Sequence, residues 1–186
     1  MQVKRLFDIL DNYSEKYPQQ DAALASKVNG KWNKISIQQY VERTDILSYA
    51  MLALGIEKGD RVAIVCGSCP EWNMLDFAVM QIGAVSVPIY PTISQEDYEH
   101  ILNHAEMRMI VFDSKTIYRR IEKILPSVKT LTEIYTIGEL GTPYPTLEKL
   151  EEIGRQNIDK QKLDKIKAEV SESDLASIVY TSGTTG

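Results

Sequence analysis

Between Asp60 and Ile137, short apolar runs alternate with stretches of helical periodicity. Residues 61–66 are rich in β-branched side chains and read as a strand, and residues 70–82 read as a helix with Pro70 in its first turn. Residues 84–88 form the next strand, followed by a helix over 94–105 that Ser94 can cap, with Tyr98, Ile101, Leu102 and Ala105 on its inner face. A strand at 109–112, a helix at 115–125 stopped by Pro126 and a strand at 131–137 complete the series. This repeat predicts an α/β fold, a mostly parallel sheet flanked by helices. The strands are apolar on both faces, as a sheet covered on both sides requires.

The flanking segments extend this unit. Val3, Leu6, Phe7, Leu10, Tyr13 and Tyr17 predict an amphipathic helix over residues 3–16, ending before Pro18. Runs 22–28 and 31–35 enclose Asn29-Gly30, a strong hairpin signal. Ser36 and Gln39 match a capping box and open a helix that Gly55 ends. After a Thr142-Pro143-Tyr144-Pro145 loop come two charged surface helices, 146–153 and 160–170, and a last apolar strand, 175–180. No linker or internal repeat divides residues 1–186, which read as a single α/β region.

Composition narrows the function classes. With 21 Lys+Arg against 26 Asp+Glu, net charge −5, the chain lacks the basic excess of a dedicated nucleic-acid binder. Two cysteines do not make a secreted disulfide scaffold. The apolar stretch from Met74 to Tyr90 is broken by Asp76, Gln81, Gly83 and Pro88, so it reads as buried helix plus strand rather than a membrane span. Charges at Lys4, Arg5 and Asp8 sit where a signal peptide needs its apolar core, making a cytoplasmic location the expectation, with peripheral membrane association compatible with it.

The segment Tyr180-Thr181-Ser182-Gly183-Thr184-Thr185-Gly186 is the strongest candidate site. Hydroxyls supply donors that rotate toward phosphate oxygens, and glycines let successive backbone N–H groups converge on one anion. Following a strand, the loop would sit beyond the carboxyl edge of the sheet, where open α/β folds bind ligands. An ordinary polar turn is the alternative. It is not a Walker A loop, because two residues separate Gly183 from Gly186 and no Lys follows.

This loop resembles the phosphate-binding signature of the adenylate-forming enzymes, the superfamily of AMP-forming acyl-CoA synthetases, luciferases and peptide-synthetase adenylation domains. Asp174-Leu175-Ala176-Ser177-Ile178-Val179 leading into it, Gly59-Asp60-Arg61-Val62-Ala63-Ile64, Pro70-Glu71-Trp72, Gly83-Ala84-Val85 and Ile101-Leu102-Asn103-His104-Ala105 resemble the same superfamily in the same order. Val87-Pro88-Ile89-Tyr90-Pro91-Thr92 is most similar to the long-chain fatty acid–CoA ligase branch. The resemblance implies that the chain is the N-terminal part of a larger adenylation domain. The parent enzyme would use ATP, Mg²⁺ and CoA to convert a fatty acid to its thioester through an acyl-adenylate. Its partners would be small molecules, not nucleic acid. Thr181, Ser182, Thr184 and Thr185 would donate hydroxyls to the nucleotide phosphates, and Gly183 and Gly186 would provide backbone freedom. No residue is assigned as catalytic or as a metal ligand, and the stretch alone is expected to be inactive. Ser68 stands where the family often has Asn. Adenylation of a short-chain, aryl or amino acid is the alternative.

Two further constellations lie outside that assignment. Cys66-Gly67-Ser68-Cys69-Pro70 sets a C-x-x-C between a strand and a helix, the setting of a dithiol redox module; the alternative is a tight turn holding two ordinary thiols. His100 and His104 lie one helical turn apart, a spacing able to share a metal, against the plainer reading of a solvated helix flank. Trp32, Trp72 and the tyrosines are not interleaved with a basic stripe and read as core and interface residues. The mixed charges of residues 148–172 read as a solvated helical face.

Overall fold

A computed structural model describes residues 3–181. Seven helices and six strands follow in order among them: α1 (Asp8–Lys16), β1 (Leu24–Val28), β2 (Lys31–Ile35), α2 (Ile37–Ala53), β3 (Arg61–Val65), α3 (Pro70–Gln81), β4 (Val85–Pro88), α4 (Gln95–His104), β5 (Met109–Phe112), α5 (Lys115–Ile121), β6 (Glu133–Thr136), α6 (Leu147–Gln156) and α7 (Lys160–Glu169).

The predicted parallel sheet is present, with strand order β4-β3-β5-β6 and every neighbouring pair parallel. Its alternation divides the core in two. Val62, Ile64, Met109 and Val111 face one cluster, built with Leu47 and Met51 of α2, Leu75 and Ala78 of α3 and Leu150 of α6. Ala63, Val65, Ile110 and Phe112 face the other, built with Tyr98 and Leu102 of α4 and Ile117 and Ile121 of α5. Adjacent strand residues point to opposite faces, so a one-residue slip would exchange these partners and expose neither set to water. The covering helices therefore fix the register.

Local signals act where the sequence places them. Asn29 and Gly30 both adopt positive φ (50° and 79°), as the two central residues of a type I′ turn require, and β1 pairs β2 antiparallel. Ser36 and Gln39 form the capping box of α2, and Ser94 with Asp97 forms one on α4.

Two boundaries and two burial assignments differ from expectation. α1 starts at Asp8 rather than residue 3, because the buried Asp8 carboxylate folds back to accept the N–H groups of Lys4 (3.0 Å) and Arg5 (2.9 Å), holding the preceding residues in a turn. α5 ends at Ile121; Pro126 lies within a separate 3₁₀ turn, Leu125–Ser127, because proline can occupy a first turn but cannot continue an α ladder. The charged α6 is not a purely surface helix: Leu147, Leu150, Glu151 and Gly154 are buried against the core. The buried Glu151 accepts from Arg43 of α2 (2.7 Å) and Arg155 (2.7 Å), which is how a carboxylate is accommodated there. Trp32, expected in a core or interface, is 67% exposed on the hairpin.

The predicted strand at 175–180 is a single parallel bridge, Ser86 to Ser177, beside β4. Ser86 N–H donates to Ala176 O (3.0 Å) and Ile178 N–H to Ser86 O (2.9 Å). Ile178 and Tyr180 pack on the second core cluster while Leu175 and Val179 stay exposed, so the two-residue alternation survives although the ladder does not.

Candidate nucleotide-binding site

Of the predicted phosphate-loop residues, the structure places Thr181; Ser182, Gly183, Thr184, Thr185 and Gly186 lie outside the described residues. What it defines is the approach to the loop. Asp174 accepts from Ser171 N–H (2.8 Å) and pairs with Lys58 Nζ (2.5 Å), fixing the start of the segment beside the turn that precedes β3. The bridge to β4 fixes its middle. At its end, Tyr180 Oη lies 2.7 Å from His104 Nδ1, and the Tyr180 ring meets both His100 and His104 edge-on. Partial burial pushes the Tyr180 phenol up, keeping it neutral and able to share a proton with the imidazole.

The histidine pair is thus occupied in a way sequence reasoning missed. The rings of His100 and His104 stack at 5.3 Å, and His104 uses one nitrogen on Tyr180. Their shared helix face was legible; the partner, 76 residues downstream, was not. Among the described residues no group of three or more His, Cys, Asp and Glu side chains could hold a metal.

A second candidate edge lies where the chain changes direction. It leaves β3 through α3 toward β4 on one side, and leaves β5 through α5 toward β6 on the other. The crevice between those carboxyl ends is where open α/β sheets receive ligands. Here the β3–α3 turn is tied to the β5–α5 turn by Gly67 N–H donating to Asp113 Oδ2 (2.7 Å). Cys66, Gly67, Ser68, Cys69, Trp72 and Asn73 line a surface cavity of about 320 Å³. The two sulfurs lie 3.9 Å apart, and both thiols are free. They are not equivalent. The contact with Cys69, together with burial, pushes the Cys66 thiol up, while hydrogen bonding from Cys66 holds the Cys69 thiol down.

The sequence profile of the AMP-binding enzyme family matches residues 10–186, so the match runs through the whole hydroxyl-rich loop. The chain is 31% identical over 159 residues to the long-chain-fatty-acid–CoA ligase FadD15 of Mycobacterium bovis, covering 86% of this chain and 26% of that protein. It is 30% identical over 187 residues to the long-chain-fatty-acid–CoA ligase ACSBG1 of Rattus norvegicus, covering 97% of this chain and 25% of the relative. The chain thus spans about a quarter of the length of the relatives it matches. In fold it is similar to the long-chain-fatty-acid–CoA ligase FadD1 of Archaeoglobus fulgidus, with TM-score 0.74 and 22% identity, covering 95% of this chain and 34% of that one. The order of the sheet, the segment that leads along β4 into a Thr/Ser/Gly loop, and a profile match across 10–186 lead to one assignment: the chain belongs to the AMP-binding enzyme family.

Proposed function

We propose that the protein carrying this chain activates a long-chain fatty acid with ATP and transfers the acyl group to CoA. The observation that carries this reading is the family match extending over residues 10–186, with two long-chain ligases about 30% identical across most of the chain. A carboxylate is a poor electrophile near neutral pH. Attack of its oxygen on the α-phosphorus of ATP expels pyrophosphate and installs AMP as the leaving group. The CoA thiolate then attacks the acyl carbon, and AMP departs with the bonding electrons.

In this reading Thr181, Ser182, Thr184 and Thr185 hold the β- and γ-phosphates while charge builds on the departing pyrophosphate, and Gly183 and Gly186 let the backbone approach. The described residues supply no cluster suited to a metal, so Mg²⁺ would enter with the ATP phosphates and neutralise part of their charge. Residues 1–186 are the N-terminal part of the adenylation domain in this proposal, and by themselves are inactive, because they span only about a quarter of the length of the ligases they match. We place the protein in the cytoplasm, where it can act peripherally on membrane-derived fatty acids; no described helix is long and apolar enough to cross a membrane.

The test is ATP–pyrophosphate exchange by the full-length protein across a panel of acids, followed by AMP release with palmitate and CoA. Fatty-acid-dependent exchange and thioester formation are expected. Exchange driven by aryl, short-chain or amino acids and not by long-chain acids would replace the substrate assignment, and no exchange with any acid would overturn the reading.

A further inference from the structure

The ligase chemistry leaves the two thiols at the sheet's switch point without a task. We propose that Cys66 and Cys69 form a reversible disulfide, a modification site at the β3–α3 turn that takes a small hydroperoxide as its oxidant. This inference is independent of the substrate assigned above.

Geometry carries it. The sulfurs are 3.9 Å apart across the turn, so closing to a disulfide length of about 2.05 Å needs a movement of just under 2 Å. Only Gly67 and Ser68 separate the two residues, and they belong to a loop rather than to a strand or helix. Both thiols line the same open cavity, which admits a peroxide although Cys66 itself is only 8% exposed. Cys69 occupies the N-cap position of α3, so the partial positive charge of the helix start faces it. The C-x-x-C arrangement at a helix N-terminus is the setting in which one thiol becomes the nucleophile and the other resolves it.

Position assigns the two roles: Cys69 stands at the α3 N-cap and is the more exposed thiol, while Cys66 is buried. The Cys66 S–H and the Trp72 backbone N–H both favour charge on Cys69, outweighing burial and the neighbouring carboxylates of Glu71 and Asp113. Cys66, more deeply buried, keeps its proton. The Cys69 thiolate attacks the terminal oxygen of the hydroperoxide; the O–O bond breaks, and the leaving oxygen takes a proton from water to depart as alcohol or water. Cys69 is now a sulfenic acid. The Cys66 sulfur attacks the Cys69 sulfur, the S–O bond breaks, and the hydroxide leaves as water with the Cys66 proton. Two thiols are oxidised by two electrons and one peroxide is reduced. A small dithiol reverses the step by exchange.

The experiment treats the full-length protein with one equivalent of hydrogen peroxide, alkylates it under native-buffer and denatured conditions, and maps the peptides. The expected result is simultaneous loss of both free thiols, an intrachain Cys66–Cys69 link, and full recovery with dithiothreitol. Cys66→Ser should leave a dimedone-reactive sulfenic acid on Cys69. Cys69→Ser should slow peroxide consumption by roughly 10-fold or more, since the thiolate is the nucleophile. Two thiols still fully alkylated after a dose that oxidises free cysteine would overturn the proposal, as would a link formed only between chains. The wild-type peptide map decides the question even if a serine variant folds poorly, and it is read without reference to ligase activity.

Discussion

Gly154→Ala tests a close backbone contact between α6 and α2. A Cβ built on Gly154 would lie 2.0 Å from the Ile46 carbonyl oxygen and 2.9 Å from both its carbonyl carbon and its Cγ2. The opposing atoms are mostly α2 backbone, which cannot swing aside as a side-chain tip would. α6 must therefore retreat by about 1 Å, and its neighbours oppose that. Leu150 is fully buried against α2 and α3 partners, and Glu151 bonds Arg43 at 2.7 Å. Overpacking of this kind costs about 1–3 kcal/mol, and a backbone opponent puts this site at the upper end. Alanine returns up to about 1 kcal/mol of helix propensity. The net loss is about 2 kcal/mol, which for a chain of this size lowers Tm by roughly 4–8 °C. Thermal unfolding followed by circular dichroism, with urea midpoints at constant m-value, measures it, and Lys149→Ala on the exposed face of α6 serves as the near-neutral control. A Tm for Gly154→Ala equal to or above that of the parent would mean that propensity alone governs this position and that α6 does not rest on the α2 backbone.

Asp45 should impose a pH dependence on stability. Burial raises its carboxyl from 3.8 to about 6, with Lys167 opposing the shift and Asp11 and Asp164 reinforcing it. Between about pH 4 and 6 the unfolded chain loses this proton while the folded chain keeps it, so stability falls as pH rises through that window, by on the order of 1–3 kcal/mol. Asp45→Asn should be more stable than the parent near pH 7 and indistinguishable near pH 4 in urea titrations; no gain near pH 7 would sink the account. His104→Ala removes the hydrogen bond that positions Tyr180 directly before the proposed phosphate loop. Under the proposed function, the full-length protein carrying this change should show a KM for ATP raised by roughly 10-fold, at little cost in KM for the acid, with partial rescue by His104→Gln. Equal changes in both KM values would indicate a general structural defect instead.

Much of the fold was legible because its signals are local. Asn29-Gly30, Ser36 with Gln39 and the Ser94 cap each act through backbone geometry within four residues, and each forms as read; Asp97, completing a box with Ser94, is added by the structure. The strand–helix repeat between Asp60 and Ile137 predicted a parallel sheet because strands apolar on both faces need helices on both sides. The ordered motifs pointed to the family that the profile match shows. The boundaries that moved did so under nonlocal or reversed contacts: Asp8 reaching back to Lys4 and Arg5, and Ser177 forming a bridge where a full strand was expected.

Sequence by itself determined most of the elements, the class of sheet and the phosphate-loop candidate, since periodicity, capping and turn chemistry depend on residues a few positions apart. Only the tertiary structure decided which distant groups meet. It set His104 against Tyr180, closed the Cys66 turn onto Asp113, and made Gly154 the point where two helix backbones touch. Such contacts arise when covered sheet faces bring separate helices and loops together. No local periodicity encodes them, because their energies depend on distances that the chain acquires only once it has packed.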